Sequence, residues 1–384
     1  MPDRVYLDWN ATTPLRPEAR QAMAAAWDIA GNPSSVYAEG RLARRLVEDA
    51  RAAVASAVGG RPQDGVFTSG GTEANALALA PGLRRGTGQP VRRLLVSAIE
   101  HTSVLAGGRF APEALGTIAV TGSGLVDLDH LRRLLADGPL ALVSVMLANN
   151  ETGAIQPIPE VAEIVHEAGG LVHVDAIQAL GKISFDIRSM GADLVTLSAH
   201  KIGGPKGVGA LVMAEELQGL EPLLRGGGQE LGRRAGTENV AGIAAFGAAT
   251  TAAMASLSTE AARLQRLRKL LENGLMQTPG MIVFSAETLR LPNTTLFTVP
   301  GLRAETAVIG FDLGGIAVSS GSACSSGKVQ PSHVLAAMGV DRNLAQGAVR
   351  LSMGWSTSEA DIDLALKAWR KLADGLLRGR RNTA

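Results

Sequence analysis

The sequence predicts an α/β protein with a large domain, built on a mostly parallel sheet, and a smaller α+β domain towards the C-terminal end. Three observations support this. The chain has 384 residues, which is too long for one ordinary core and fits two domains. Short continuous apolar runs alternate with helical patterns through the first two thirds of the sequence. The 46 glycines suit the many tight turns that such an alternation needs.

Five apolar runs in the first two thirds predict buried strands, and helical patterns lie between them. The strands are predicted over residues 94–97, 142–146, 171–174, 194–197 and 208–213. The helices are predicted over residues 73–83, 128–135 and 159–168. Continuous apolar strands separated by helices are typical of a parallel sheet that is covered on both faces.

The last third of the sequence predicts a different arrangement. A long helix over residues 257–276 precedes short strands at 281–284, 293–299 and 316–318, and helices follow at 331–338 and 358–377. The first dozen or so residues, from Tyr6 onward, predict an arm that packs on this part. We therefore expect a large domain over residues 15–256 and a small domain made of residues 1–14 and 257–384.

Charge and composition argue against some classes of partner. Lys and Arg (37) nearly balance Asp and Glu (36), so a net charge of +1 gives no electrostatic reason to expect nucleic acid or an anionic membrane. No apolar stretch of about 18 residues predicts a membrane span. The single cysteine cannot form an internal disulfide, and the N-terminus has no signal-peptide core. We therefore expect a cytoplasmic protein.

Four polar clusters lie at or just beyond predicted strand ends, where ligands bind in open α/β sheets. The first is Thr-Ser-Gly-Gly-Thr-Glu at residues 68–73, where a helix is predicted to start. Two glycines and a hydroxyl residue there favour an anion site formed by backbone N–H groups and the helix dipole. A plain helix cap, with Thr72 as the N-cap residue, fits the same pattern.

The second and third clusters place an acid and a lysine on neighbouring strand ends. Asp175 ends a buried strand, where a carboxylate needs a partner such as a protonated pyridine nitrogen, a backbone group or an arginine. Lys201 lies between an apolar strand and a Gly-rich turn, and partial burial favours the neutral amine that forms Schiff bases. A lone lysine is usually a solvated surface charge. An acid followed by a lysine on adjacent strands, however, is the arrangement of pyridoxal phosphate (PLP) sites.

The fourth cluster, residues 319–328, surrounds the only cysteine, Cys324, with Ser, Gly, Ala and Lys. A free cysteine is usually a small buried hydrophobe. This segment has no apolar face to bury, and Lys328 favours the thiolate. We therefore predict an accessible, reactive thiol.

Two single residues complete the predicted site. His101 follows a strand and suits stacking on a ring or proton transfer, although a lone histidine is otherwise a surface or capping residue. Arg350 lies in an apolar, strand-like run, where a buried guanidinium needs an anion such as a substrate carboxylate.

Taken in order, these motifs resemble those of cysteine desulfurases of the NifS/IscS kind, in the class V aminotransferase family of fold-type I PLP enzymes. The motifs are YLD with ATTP at residues 6–14, TSGGTEAN at 68–75, NNETG at 149–153, HVD at 173–175, HK at 200–201 and SSGSAC at 319–324. The resemblance runs from about residue 6 to about residue 377, and the cysteine motif is typical of the group I branch. It implies the PLP-dependent transferase fold type I, with a seven-stranded sheet in the large domain.

The resemblance also implies roles for the matching positions. Lys201 would bind PLP as a Schiff base, Asp175 would pair with the pyridinium nitrogen, and His101 would stack on the ring. Gln178 and Asn150 would bond near the ring O3′ or the substrate carboxylate.

Other matching positions would hold the two anionic groups. Arg350 would bind the substrate carboxylate. The PLP phosphate would be held by four residues of one chain and by one residue of its partner in a homodimer. The four are Gly71, Thr72, Ser198 and His200, and the fifth is Thr237, in the sequence Arg-Ala-Gly-Thr-Glu-Asn.

The implied reaction removes sulfur from L-cysteine. Lys201 would take the Cα proton with His101 as a shuttle, and the Cys324 thiolate would attack the substrate sulfur. L-alanine would leave, and Cys324 would keep the sulfur as a persulfide until an acceptor protein or small thiol takes it. Iron–sulfur cluster assembly, tRNA thiolation and molybdenum-cofactor sulfuration all remain open as destinations.

The sequence departs from the family pattern at two places, and two rival functions fit part of it. Tyr37 stands where the family usually has histidine, and Gly203-Gly204 replaces a bulkier residue near the lysine turn. A class V transaminase or a selenocysteine lyase shares the PLP residues but needs no thiol in an accessible loop, and activity on selenocysteine stays open. A non-enzymatic sulfur-protein scaffold is opposed by the intact catalytic set, which comprises Asp175, Lys201, His101 and Cys324.

Overall fold

A computed structural model describes residues 4–321 and 332–381 of the chain. One sheet has seven strands, of which a single strand runs against the others, and a second sheet has four antiparallel strands. The predicted α/β fold with a mostly parallel seven-stranded sheet is therefore confirmed.

Strands and helices alternate along the chain. The strands are β1 (Val5–Tyr6), β2 (Gly65–Thr68), β3 (Arg84–Arg85), β4 (Arg93–Ser97), β5 (Leu115–Ile118), β6 (Ala141–Met146), β7 (Leu171–Asp175), β8 (Leu194–Ser198), β9 (Gly209–Met213), β10 (Leu217–Gln218), β11 (Ile282–Val283), β12 (Thr294–Thr298), β13 (Ile316–Ala317), β14 (Ser319–Ser320) and β15 (Val349–Ser352). The helices are α1 (Pro17–Trp27), α2 (Ala38–Ser56), α3 (Gly71–Ala78), α4 (Thr102–Leu105), α5 (Leu128–Ala136), α6 (Ile158–Glu167), α7 (Val240–Ala255), α8 (Leu257–Leu275), α9 (Ala304–Leu313), α10 (His333–Ala337), α11 (Arg342–Ala345) and α12 (Glu359–Arg381).

The large sheet has the strand order β2-β9-β8-β7-β6-β4-β5, and only β9 is reversed. Every residue of β6, β7, β8 and β9 is buried, which explains why these strands are continuous apolar runs in the sequence. Because β4, β6, β7 and β8 are parallel, their carboxyl ends meet at one edge of the sheet. The segments after these four strands carry most of the predicted site residues.

Helices α1, α2 and α7 pack together on the large sheet. Asn239 caps α7 because its side chain accepts a hydrogen bond from the backbone N–H of Gly242, at 3.1 Å. The helices approach closely where a Cβ on Gly247 would lie only 2.7 Å from the Cα of Ala50. A small residue is therefore required at this crossing.

The second core lies around the four-stranded sheet, whose order is β11-β12-β15-β14. Helices α8, α9 and α12 cover it, with Trp369 packed against Phe297 and Phe311. The N-terminal arm joins this core, since β1 pairs with β13 and Leu7 is fully buried in it. The predicted packing of the arm is confirmed, whereas the domain limits at residues 15 and 257 stay a prediction.

Two parts of the predicted secondary structure are wrong. The helix predicted over residues 73–83 is displaced, because α3 begins at Gly71 and ends at Ala78, ahead of the turn at Pro81-Gly82. Several elements were not predicted, among them helices α1, α2, α7 and α9 and the edge strands β2 and β5. Helix α7 is apolar on every side, so its sequence lacks the helical periodicity that marks an amphipathic helix.

No single helix within the described ranges is long and apolar enough to cross a membrane. The bent pair of α7 and α8, at 70° to each other, passes that test only when both helices are taken together.

Candidate active site

The carboxyl-end edge of the large sheet opens into a cavity of about 280 Å³. The N-terminal arm and β15 close the cavity from the side of the second core. Of the twelve residues predicted for the site, ten line this cavity. They are Gly71, Thr72, His101, Asn150, Asp175, Gln178, Ser198, His200, Lys201 and Arg350.

Asp175 is the last residue of β7, and its carboxyl group is buried. Its Oδ2 accepts a hydrogen bond from Asn75 Nδ2 at 2.9 Å, and its Oδ1 accepts one from the backbone N–H of Ile177 at 3.0 Å. Burial raises the pKa of Asp175, while the Asn75 and Ile177 donors and the nearby basic groups of His101 and Lys201 lower it. A cation placed opposite Asp175 would therefore stabilise its ionised form.

Lys201 ends a short 3₁₀ turn that follows β8, the strand next to β7. Its Nζ donates hydrogen bonds to the backbone carbonyl oxygens of Asn10, at 2.7 Å, and Ala11, at 2.8 Å. The N-terminal arm therefore orients the amine. Strand order brings Asp175 and Lys201 to one cavity, as their positions in the sequence predict.

The first turn of α3 lies where the sequence predicts an anion site. Gly70 is the N-cap residue and Thr72 lies within the first turn, so the alternative interpretation of Thr72 as the N-cap is wrong. A Cβ on Gly71 would lie 2.3 Å from Ile177 Cδ1, whereas a Cβ on Gly70 would meet no atom within 4 Å. The backbone therefore packs closely on one side and faces open space on the other. Ser198 and His200 border the same cavity.

His101 caps the short helix α4. Its Nδ1 accepts a hydrogen bond from the backbone N–H of Ser103 at 3.1 Å and lies 2.7 Å from Ser103 Oγ. We assign the ring proton to Nε2 on this basis, because a backbone N–H can only donate. Burial lowers the pKa of His101 and favours the neutral ring.

A buried network behind Asp175 and His101 was not predicted from the sequence. Asn75 is fully buried, and its amide nitrogen donates both to Asp175 and to Ser103 Oγ, the latter at 2.9 Å. Its amide oxygen accepts a hydrogen bond of 2.6 Å from Thr196 Oγ1, which lies 3.1 Å from His173 Nε2. Burial lowers the pKa of His173 to about 3, so this ring is neutral. Asn75 is the last residue of the TSGGTEAN motif, but only the fold shows that it links Asp175, Ser103 and Thr196.

Arg350 lies on β15 and is only 2% exposed. Its Nη2 donates to Asp8 Oδ1 at 2.8 Å, and its Nη1 donates to the backbone oxygen of Asn150 at 2.9 Å. Its Nε is buried and has no hydrogen-bond partner among the residues described. The sequence predicts an anion beside Arg350. In the structure, the carboxylate of Asp8 is such an anion.

Cys324 and Lys328 lie outside the described residues, but the chain on either side of them is described. Before this segment, Ser319 pairs with Arg350 in the sheet of the second core. After it, Ser332 donates a 2.5 Å hydrogen bond to Glu151, the residue next to Asn150. Burial raises the pKa of Glu151 to about 7. One end of the cysteine segment therefore pairs with a residue that lines the cavity, Arg350, and the other contacts the residue next to Asn150, which also lines it.

Three other positions noted in the sequence lie away from the cavity lining. Thr237 is exposed and does not border the cavity of its own chain. Tyr37 is 55% exposed and lies at the start of α2. Gly203 has a φ of +89°, and a Cβ there would lie 2.5 Å from Arg16 Cγ. A bulky residue therefore does not fit at this turn with the present backbone. This explains why glycine stands at position 203, where the family usually has a bulkier residue.

The cavity fits PLP, the cofactor that the resemblance implies. An acid supported by amide donors suits a protonated ring nitrogen, and a lysine in the same cavity suits the aldehyde carbon. The open space at the N-terminus of α3 suits a phosphate, because backbone N–H groups and the helix dipole face it. Among the residues described, no group of three or more His, Cys, Asp or Glu side chains is arranged to bind a metal ion.

Comparisons with known proteins agree with this geometry. A family model described as aminotransferase class-V matches residues 5–365. The chain is 42% identical to a cysteine desulfurase of Cereibacter sphaeroides, with 97% of each chain covered. It is 40% identical to an IscS-like cysteine desulfurase of Mycobacterium tuberculosis, with 94% of each covered. Among solved structures, a NifS-like protein from Rickettsia africae superposes with a TM-score of 0.87 at 36% identity, covering 97% of this chain and 100% of that one.

Proposed function

Because the chain belongs to the class-V aminotransferase family, we propose that it is a PLP-dependent cysteine desulfurase that moves the sulfur of L-cysteine onto Cys324. One observation carries this proposal. The acid–lysine pair Asp175 and Lys201 lines a cavity that Arg350 also lines, and Arg350 pairs with Ser319 just before the cysteine segment. The names of the related proteins support the same reaction.

The residues that would hold PLP come from several elements. Lys201 would bind the aldehyde carbon, Asp175 would face the ring nitrogen, and His101 would stack on the ring. The start of α3 would bind the phosphate, together with Ser198 and His200. When bound, PLP supplies an electron-withdrawing ring that makes the Cα proton of the attached substrate acidic.

Two groups would move the protons. Lys201, once the substrate replaces it on the cofactor, is the amine at hand to accept the Cα proton. His101 would exchange protons through Nε2, because Ser103 occupies Nδ1. Asp175 would keep the opposing ring nitrogen protonated, with Asn75 holding the carboxylate in place.

Substrate binding and sulfur capture would use the opposite side of the cavity. Arg350 would hold the substrate carboxylate, and its Nε, which has no partner among the described residues, leaves hydrogen-bonding capacity for this. The Cys324 thiolate would attack the substrate sulfur, so that an S–S bond forms and the C–S bond breaks. The electron pair of the broken bond stays on carbon, which is then protonated. Overall, L-cysteine and the Cys324 thiol give L-alanine and a Cys324 persulfide, without an external oxidant.

The assembly and location are part of the same proposal. We expect a cytoplasmic homodimer in which Thr237 reaches the PLP phosphate of the partner chain. The exposure of Thr237, away from the cavity of its own chain, supports this role. The persulfide sulfur would pass to an acceptor protein or small thiol, for iron–sulfur cluster assembly or another sulfur-transfer pathway.

Replacement of the single cysteine tests the reaction. Cys324→Ser removes the soft nucleophile but keeps a side chain of similar size, and its hydroxyl stays protonated near neutral pH. The variant should bind PLP as the wild type does, judged by visible absorption. Its release of L-alanine from L-cysteine should fall by about a thousandfold, on the scale of losing a catalytic nucleophile.

Ser326→Ala, in the same segment, is the matched control and should keep the wild-type rate. Mass spectrometry of the wild type after reaction should find the added sulfur atom on Cys324. Alanine production by Cys324→Ser at nearly the wild-type rate would exclude the desulfurase reaction and leave a simpler PLP enzyme.

A further inference from the structure

Lys182 is a second lysine beside the cavity, and the reaction proposed above gives it no role. It is only 8% exposed. Its Nζ donates a 2.6 Å hydrogen bond to Gln178 Oε1 and a 3.4 Å hydrogen bond to Asn10 Oδ1. Within the described part of the chain, both of its partners are thus neutral amides, and no carboxylate forms an ion pair with it. A buried amine without a carboxylate is costly, so its place beside the cavity calls for a function.

The first consequence of Lys182 is the orientation of the Gln178 side chain. The oxygen and nitrogen ends of an amide have nearly the same shape, so hydrogen-bond partners decide which end points where. Lys182 donates to Oε1, and Nε2 then donates to the backbone oxygen of Asn10 at 2.9 Å. The reverse orientation would set the amide N–H against the lysine N–H. Lys182 thus fixes the Gln178 amide where it borders the cavity.

The second consequence is a direct link to Lys201. The backbone oxygen of Asn10 accepts hydrogen bonds from both Gln178 Nε2 and Lys201 Nζ. Lys182, Gln178, Asn10 and Lys201 therefore form one continuous hydrogen-bonded chain. A substitution at Lys182 can therefore affect the Lys201 amine through the Gln178 amide and the Asn10 carbonyl.

We propose that Lys182 is a positioning residue for the cofactor, which directs the Gln178 N–H towards the cavity and adds positive charge behind it. The inference rests on the function proposed above. In the loaded protein, the second N–H of the Gln178 amide, the one that does not donate to Asn10, would donate to the phenolic oxygen of PLP. Both the N–H and the charge would draw electron density from that oxygen. They would thereby disfavour a proton on the neighbouring Lys201 nitrogen.

The electrostatics around Lys182 make its charge depend on what occupies the cavity. Burial lowers the pKa of Lys182 well below its ordinary value, and the positive charges of Lys201 and Arg350 lower it further. The positive charge of Lys182 lowers the pKa of His200, and that of Lys201 lowers the pKa of Asp175. PLP carries negative charge into this cluster of basic groups. Its arrival therefore favours the protonated form of Lys182.

The test compares Lys182→Met with wild-type protein loaded with PLP. Methionine nearly keeps the volume of the buried side chain but removes the charge and the donor. The pH midpoint of the visible absorption change of bound PLP should rise by about 1 pH unit, the scale on which a nearby charge shifts a buried group. The dissociation constant for PLP should rise about tenfold, the scale of one buried hydrogen bond.

Two further variants make the result decisive. Lys367→Met, the same substitution at an exposed site on α12, should leave both values unchanged. Lys182→Gln keeps a donor but no charge, so it too should raise the midpoint, and it carries the test if the methionine variant does not fold. A wild-type midpoint in a folded Lys182 variant would overturn the proposal.

The outcome is separable from that of the proposed function. The absorption midpoint requires only that PLP is bound to Lys201, not that L-cysteine is turned over. A wild type that binds PLP yet releases no L-alanine would refute the desulfurase reaction and leave the Lys182 test intact. A wild type that binds no PLP would overturn both.

Discussion

The two sides of the cavity are held by different means. The floor, which we define as Gly71, Asp175 and Lys201 with Asn75 behind them, comes from segments at or just after the ends of β2, β7 and β8 of one sheet and is fixed by the order of those strands. The rim, which we define as Asp8, Asn10 and Arg350, joins residues up to 342 positions apart through side-chain contacts. The floor would carry the cofactor and the proton transfers, whereas the rim would hold the substrate. Changes to the floor should therefore affect the chemistry most, and changes to the rim should affect binding.

The largest effect is expected at the floor, from Lys201→Ala. Without the amine, the covalent link to PLP and the base for the Cα proton are both lost. The visible band of the lysine-bound cofactor should disappear, and alanine production should fall by about a thousandfold or more. Absorption spectra and alanine assays check this. Wild-type protein that stays colourless when PLP is added would contradict the whole assignment.

Asp175→Asn should come next. The amide is close in shape to the carboxylate, so PLP should still bind, but it cannot keep the ring nitrogen protonated. The turnover rate should fall by about a hundredfold, the scale of losing one preorganised electrostatic contact. Steady-state kinetics checks this. Asn75→Ala provides a comparison: we expect a smaller fall, because it removes only the donor that orients Asp175 Oδ2. A near-wild-type rate for Asp175→Asn would show that the acid has no such role.

At the rim, Arg350→Lys should mainly weaken substrate binding. Lysine keeps the positive charge but lacks the guanidinium group. It therefore loses the two hydrogen bonds to Asp8 and Asn150, and also the Nε that has no partner among the described residues. The KM for L-cysteine should rise about tenfold, the scale of one charge-assisted hydrogen bond, with a smaller change in kcat. Arg303→Lys, at an exposed position, is the control. A fall in kcat with unchanged KM would contradict a role in substrate binding and would indicate that Arg350 acts in the chemical step.

The smallest effect concerns stability, at the end of the cysteine segment. Burial raises the pKa of Glu151 from 4.5 to about 7, so this group stabilises the fold fully below about pH 4.5. That contribution is lost as the pH rises through about 7, because the unfolded chain then holds the ionised form more easily. Glu151→Gln cannot ionise, so its melting temperature should fall less than that of the wild type between pH 5 and pH 8. We expect a difference of a few degrees by thermal unfolding. Parallel curves for the two proteins would contradict the assignment.

The floor was easier to predict from the sequence than the rim. Asp175 and Lys201 follow apolar strands, and the order of parallel strands is enough to bring them together. Asn75 was less apparent, because an amide within a helix start looks like part of a cap until Thr196 and Asp175 are seen to enclose it. Lys182 was overlooked for a similar reason. A lysine after a turn is normally a surface charge, and only the fold shows that it is buried.

The rim shows where local pattern stops being informative. Arg350 was predicted to be buried beside an anion, and it is, but its partner in the protein is Asp8 near the other end of the chain. No periodicity or spacing links these positions, because the contact depends on how β15 meets the N-terminal arm. The same limit applies to α7, whose uniformly apolar sequence hides its helical character. Local signals predict elements, whereas contacts between distant elements require the fold.

The N-terminal arm has a consequence for the order of events during synthesis. Asn10 leaves the ribosome among the first residues, but Thr294 and Ser352, to which it bonds, are among the later ones. Domains generally fold as units while the chain is being made, so the seven-stranded sheet can form well before the second core is complete. The arm contacts both, because Asn10 also accepts hydrogen bonds from Gln178 and Lys201. The full set of contacts that holds the arm beside Lys201 therefore requires almost the entire chain.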